Sequence, residues 1–115
     1  MLNSSYTDAI KETLIPPEIT REQITNVYAT EADLLNVALF GKTAREWRDQ
    51  NADKQGNIRD EATLEQLVVL TNLESINALL IRNQMAQSER LKQLNKAAIQ
   101  QMKSLLASPT IKKLS

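Results

Sequence analysis

The chain has 115 residues, equal numbers of basic and acidic residues, and 42% hydrophobic residues, which suffices for one globular domain with its own core. It contains no cysteine and no histidine. This excludes disulfides, thiolate catalysis, cysteine zinc sites and the side chain that most often serves as a general base near neutral pH. Because only two glycines and three prolines occur, the composition favours long helices over a succession of tight turns.

The first 20 residues are predicted to form a leader ahead of the domain. Tyr6 to Ile15 fit a short helix that ends before Pro16 and Pro17, because a residue that precedes proline avoids the α-helical region. We expect this leader to be mobile or to dock elsewhere. The start of the chain has neither the basic nor the apolar segment of a signal peptide, so we expect a cytoplasmic protein.

Three threonines mark the starts of helices in the first half of the domain. Thr20 opens a capping box, in which a glutamine follows the cap residue after three positions. Thr30 precedes two acids, which favour the positive end of the helix dipole, and its helix is expected to end at Gly41. Thr43 starts a further helix that carries Trp47, a candidate core anchor.

The connector at 51–62, NADKQGNIRDEA, has the glycine and isoleucine spacing of a calcium-binding EF-hand loop. Asp53 is its only carboxylate at a ligand position, and Ala62 stands where the bidentate glutamate is required. We therefore expect no calcium binding, and interpret the segment as a polar connector in which Gly56 adopts a positive φ angle.

The longest apolar segment follows this connector. Thr63 caps it, and it runs to about Arg82 with apolar residues on nearly every side, which is typical of a buried central helix. Ser88 is expected to cap a last helix that ends near Ala107, before a tail at 108–115. Together these elements predict an all-α fold: a single small domain of about five helices over 21–107, with a buried central helix and a long amphipathic C-terminal helix.

The last helix carries two neighbouring stripes, one apolar and one basic. The apolar stripe is a candidate core or oligomer interface, since a small helical domain gains core by self-association; it consists of Leu91, Leu94, Ala98, Ile99, Met102, Leu105 and Leu106. The basic stripe consists of Lys92, Lys96 and Lys103, and it either contacts phosphate groups or is a solvated helix face. The candidate phosphate contacts are these three lysines and Arg90.

Charge is divided unevenly along the chain. Residues 82–115 hold seven basic residues and one acid, whereas 1–81 hold seven basic residues and thirteen acids. This division indicates a nucleic acid, an acidic partner, or an attraction between the two halves or between two subunits.

No motif predicts catalysis. Acids at helix starts, such as Glu31 and Asp33, are explained by capping and the helix dipole. No phosphate-binding loop, dinucleotide fingerprint or hydrolase elbow occurs. We expect a protein without enzymatic activity, metal, cofactor or small-molecule substrate. We also expect no membrane span, because no apolar run reaches the roughly 20 residues that a membrane helix needs.

Several stretches of the chain resemble a known family. They are VYATEADLLNVALFG at 27–41, TAREWRDQN at 43–51, GNIRDEATLEQLVVLTNLESINALLI at 56–81 and QSERLKQLNKAAIQQM at 87–102. In this order and spacing they resemble the region that follows the DNA-binding domain in bacterial and phage KilA-N domain proteins. The resemblance implies the helical module of a phage or prophage regulator, without the DNA-binding domain, which lies upstream in the family. The family supplies no functional residues that map onto this sequence.

Two functional hypotheses follow. The first is a non-enzymatic interaction or oligomerisation module of a KilA-N-type regulatory protein, whose partner is a second copy of the chain or a KilA-N DNA-binding domain. The alternative is direct binding of DNA through the basic stripe of the last helix. The resemblance also implies a bacterial or phage-encoded protein of the cytoplasm.

Overall fold

The computed structural model describes residues 13–107. Within that range the chain forms five complete α-helices and one short 3-10 helix, without a strand, so the predicted all-α fold is confirmed. In chain order the elements are α1 (Arg21–Thr25), α2 (Glu31–Phe40), α3 (Ala44–Gln50), the 3-10 helix (Ile58–Glu61), α4 (Leu64–Arg82) and α5 (Gln87–Ala107). Most of the predicted leader helix and the tail at 108–115 lie outside the described residues.

Threonine caps begin the first four α-helices, as predicted. The backbone N–H of the residue three positions further on donates to the hydroxyl of each cap, Thr20, Thr30, Thr43 and Thr63. Gly41 follows α2 with a φ of 78°, the left-handed conformation expected of it. The last helix differs from the prediction. It begins at Gln87, where the N–H of Arg90 already donates to the carbonyl of Ala86, so Ser88 lies inside the first turn.

The connector at 51–62 contains a 3-10 helix that the sequence did not reveal. Asn57 caps it by accepting the N–H of Arg59, and the Asp60 carboxylate accepts the N–H of Asn57 at 2.8 Å. Gly56 has the predicted positive φ, 87°, and a Cβ at that position would collide with the Asp60 carboxylate. The connector is therefore a hydrogen-bonded turn that leads directly to Thr63, the cap of α4.

The core lies between α2, α4 and α5. α4 and α5 form an antiparallel hairpin, because Asn77 contacts Arg90 next to the hairpin turn and Asn72 contacts Gln101 further from it. α2 packs against both helices of the hairpin. The side chains with 0% exposure are Leu34, Ala38, Val69, Leu73, Leu91, Leu94, Ala98 and Met102. Trp47 is also buried, as predicted, but it belongs to a smaller cluster with Ile58 beside this core.

α4 is buried on one face only, and this corrects the expectation of a helix buried nearly all round. Val69 and Leu73 on its inner face are fully buried, whereas Leu64 is 74% exposed and Leu79 is 57% exposed on the opposite face. The reason is that α2 and α5 cover a single side of α4, and no other element in 13–107 packs substantially over its outer side.

The described part of the predicted leader packs against the domain. Pro16 is buried, and Leu14 and Ile19 are partly buried against the core. The packed unit therefore extends on its N-terminal side at least to residue 14.

Candidate interaction surface

The predicted apolar stripe of α5 faces inward. Four of its members are fully buried between α2 and α4: Leu91, Leu94, Ala98 and Met102. The other three are half-buried at its edges: Ile99, Leu105 and Leu106. The fully buried members form the core of this chain, so they are not available to a second chain.

Arg90 is one of the candidate phosphate contacts, and the structure buries it at 8% exposure. Its guanidinium donates to the Glu31 carboxylate and, at 2.9 Å, to Oδ1 of Asn77, while its Nε donates to the Met85 carbonyl at 3.1 Å. Arg90 precedes Lys96 by six positions, so the two side chains are about 120° apart around the helix axis. That angle places it on the inner side of α5, away from the lysines.

Arg90, Glu31 and Asn77 form a hydrogen-bonded network that joins three helices. Nδ2 of Asn77 donates to the same Glu31 carboxylate at 2.8 Å. The hydrogen bond from Arg90 lowers the pKa of Glu31, and the opposing effect of partial burial does not cancel it. The network fixes the start of α2 against the hairpin of α4 and α5.

Asn95 is a further buried polar residue, and sequence reasoning missed it. Its Nδ2 donates to the carbonyls of Pro17 and Ala38, each at 3.0 Å, and its Oδ1 accepts the N–H of Ile19 at 3.1 Å. This side chain therefore joins the leader, α2 and α5. The available signal was its position among the apolar residues of α5, where a polar side chain must find partners.

We expect Asn95→Ala to lower the free energy of unfolding by about 1–3 kcal/mol, because it leaves buried backbone groups without partners. Urea denaturation measures this cost, and amide exchange at Ile19 should become faster in the variant. Gln100→Ala, at an exposed position of the same helix, is the control and should change stability by less than about 0.5 kcal/mol. Equal costs for the two variants would contradict the role given to Asn95.

The three lysines of the basic stripe are exposed on α5: Lys92, Lys96 and Lys103. Lys92 forms an ion pair with Glu89 at 3.1 Å. A shallow groove of about 330 Å³ runs beside two of these lysines, and it is lined by Glu18, Ile19, Lys92, Asn95, Lys96, Ile99 and Gln100. The lining holds no aromatic side chain and includes one acid, so it lacks a platform for stacking bases.

The exposed side of α4 holds most of the exposed large hydrophobic residues of the described chain. Of the six large hydrophobic residues that are exposed in 13–107, four lie on this side of α4. We call this surface the α4 outer face and define it by Leu64, Leu67, Val68, Thr71, Ser75, Ala78, Leu79 and Arg82, all of which are exposed. A helical turn of 3.6 residues places these positions along one side of the helix.

By length and composition α4 is also apolar enough to cross a membrane, and it is the only such helix among the described residues. This is weak evidence for a span, because the core helix of a globular protein has the same properties. The inner face of α4 packs in the core through Val69 and Leu73, and its sequence includes Glu65 and Glu74. Within 13–107, no group of three or more acidic, histidine or cysteine side chains is arranged to hold a metal ion.

No protein-family model, curated protein or solved structure gives a significant match to this chain. The relation to KilA-N proteins therefore stays a prediction.

Proposed function

We propose that the chain is a non-enzymatic interaction module that self-associates through the α4 outer face. The observation that supports this most directly is the exposure of Leu64, Val68 and Leu79 on a helix whose inner face already forms the core. Single exposed leucines are ordinary, but several exposed large apolar residues along one side of a helix are typical of an interaction site. Full burial of one leucine side chain stabilises by roughly 1.5–3 kcal/mol, so covering several of them favours association.

The charges around the α4 outer face favour a protein partner over a membrane surface. Helices that lie on membranes carry lysine and arginine along their polar side. α4 instead carries Glu65 and Glu74, with Arg82 as its only basic residue. The exposed lysines Lys92, Lys96 and Lys103 belong to α5, so this basic surface and the apolar surface are on different helices.

Within this proposal the chain is the helical module of a KilA-N-type phage or prophage DNA-binding regulator of the cytoplasm. The support is the resemblance of the ordered stretches within 27–102 to that family. Self-association suits the role, because many DNA-binding regulators read two half-sites as dimers. The neighbouring coding sequence tests this part: a KilA-N domain encoded just upstream is expected, and an unrelated neighbour would remove the assignment.

Sedimentation velocity over a wide range of concentrations tests self-association. Wild-type protein should shift from monomer to dimer as its concentration rises, and Leu79→Glu should prevent the shift, because it places a charge in the apolar contact. Val27→Glu is a matched control, since Val27 is 90% exposed and lies outside α4. All three proteins should keep the same helical circular dichroism. A dimer that Leu79→Glu leaves unchanged would contradict the use of this face.

Direct binding of nucleic acid through α5 is the weaker alternative. Arg90 is buried in its hydrogen-bonded network with Glu31 and Asn77, and Lys92 forms an ion pair with Glu89. Contacts with phosphate groups lose affinity steeply as salt increases. Salt-sensitive binding of a DNA duplex that Lys96→Glu abolishes, together with a strictly monomeric chain, would favour this alternative over the proposal.

A further inference from the structure

We infer that two copies of this chain associate by packing their α4 helices antiparallel, about a two-fold axis near residue 73. The inference rests on the proposed self-association, and it identifies the second copy as the occupant of the α4 outer face. It follows from the spacing of the exposed residues, from their sizes and from their charges.

The spacing is that of a helix-pairing seam. Starting at Leu64, exposed residues recur at alternating steps of four and three; the series is Leu64, Val68, Thr71, Ser75, Ala78 and Arg82. Alternating steps of four and three keep side chains on the line along which two helices pack in a coiled coil. With a rise of 1.5 Å per residue, this seam is about 27 Å long, so it follows the whole of α4.

The sizes of these residues favour an antiparallel pair. With the axis near residue 73, Val68 lies opposite the partner's Ala78, and Thr71 lies opposite the partner's Ser75. Val68 thus meets a smaller side chain, and the small central residues let the two helices approach closely. Leu67 and the partner's Leu79 lie at the same height along the helix axes, on opposite sides of the seam.

The Arg82 charge at the end of the seam favours the same direction. In a parallel pair the two Arg82 side chains would meet at one end of the seam, and like charges in contact are destabilising. In the antiparallel pair they are about 27 Å apart. The aliphatic part of each Arg82 then covers the partner's Leu64, and its guanidinium lies within reach of the partner's Glu65.

Cysteine cross-linking tests this geometry, because the chain contains no cysteine of its own. The reagent is a short bismaleimide, used at concentrations at which each variant sediments as a dimer. Ser75→Cys, close to the axis, should cross-link with itself. Gln100→Cys on the outer side of α5 is the control that should not.

An equimolar mixture of Leu64→Cys and Arg82→Cys reports the direction of packing. The mixture should give a cross-linked heterodimer, whereas each variant alone should not cross-link, since like positions lie about 27 Å apart. A strong cross-link by Leu64→Cys alone, with no heterodimer in the mixture, would show parallel packing and overturn the inference.

A charge exchange provides a second, independent test. Arg82→Glu should weaken dimerisation several-fold, as expected for loss and reversal of an exposed ion pair. Adding Glu65→Arg to that variant should restore the wild-type dissociation constant, because the exchanged charges attract again. A double variant that is weaker than Arg82→Glu alone would contradict the Arg82–Glu65 contact.

The outcomes of these experiments distinguish a failure of the antiparallel geometry from a failure of self-association. A wild-type dimer in which Ser75→Cys does not cross-link would overturn the α4 geometry and leave self-association in place. A chain that stays monomeric would overturn both. A monomeric chain that co-sediments with anionic phospholipid vesicles, and loses this with Leu79→Glu, would assign the face to a membrane instead.

Discussion

Leu94→Ala is expected to lower the free energy of unfolding by about 2–5 kcal/mol, the largest effect of any substitution considered for this domain. Leu94 is fully buried in the core that α2, α4 and α5 share. Truncation removes apolar contacts and leaves a cavity, and packing by three helices limits how far the surroundings can collapse into it. Urea denaturation followed by circular dichroism measures the change in midpoint.

Val27→Ala is the control for this loss of apolar volume. Because Val27 is 90% exposed, we expect its truncation to change stability by less than about 0.5 kcal/mol. A Leu94→Ala variant as stable as Val27→Ala would contradict the placement of α5 in the core.

Arg90→Met is expected to cost about 1–3 kcal/mol, because it leaves the Met85 carbonyl and Oδ1 of Asn77 without their donor in a buried site. The cost is below that of breaking a fully buried ion pair, since the Glu31 side chain is 48% exposed and water can solvate its carboxylate. Lys92→Met, at an exposed lysine two positions further on, is the control and should be close to neutral. If both variants cost the same, the network does not stabilise the fold.

The Glu31 carboxyl makes this contribution dependent on pH. Its pKa in the folded protein lies below the ordinary value of 4.5, mainly because Arg90 donates to it. A carboxyl whose pKa falls on folding stabilises the folded state above its unfolded pKa, and that stability is lost as the pH falls through the folded pKa. Glu31→Gln should therefore remove part of the acid-induced loss of stability below about pH 4.5. An unchanged pH profile would show that Glu31 contributes none of it.

The helix starts could be predicted from the sequence because capping is local. Each threonine hydroxyl accepts from a residue three positions away, so four consecutive residues contain both the cap and its donor. The roles of Arg90 and Asn95 could not be predicted in this way. Their partners include Glu31 and Pro17, which are 59 and 78 positions distant, and only the packed helices bring them together.

The exposure of α4 was also beyond sequence reasoning. An apolar helix indicates burial, but how much of it is buried depends on how many elements the domain supplies to cover it. In the described part of the chain α2 and α5 cover one side, so Leu64 and Leu79 remain in solvent. The apolar side that was expected to lie within the domain is therefore the surface on which the proposed self-association depends.

Sedimentation equilibrium of the wild-type chain tests self-association most directly. The chain has a mass of 13.0 kDa. We predict that the weight-average mass rises with concentration toward twice this value, and that the Leu79→Glu variant stays at the mass of one chain. A wild-type mass that remains at 13.0 kDa over the whole concentration range would contradict self-association through the α4 outer face.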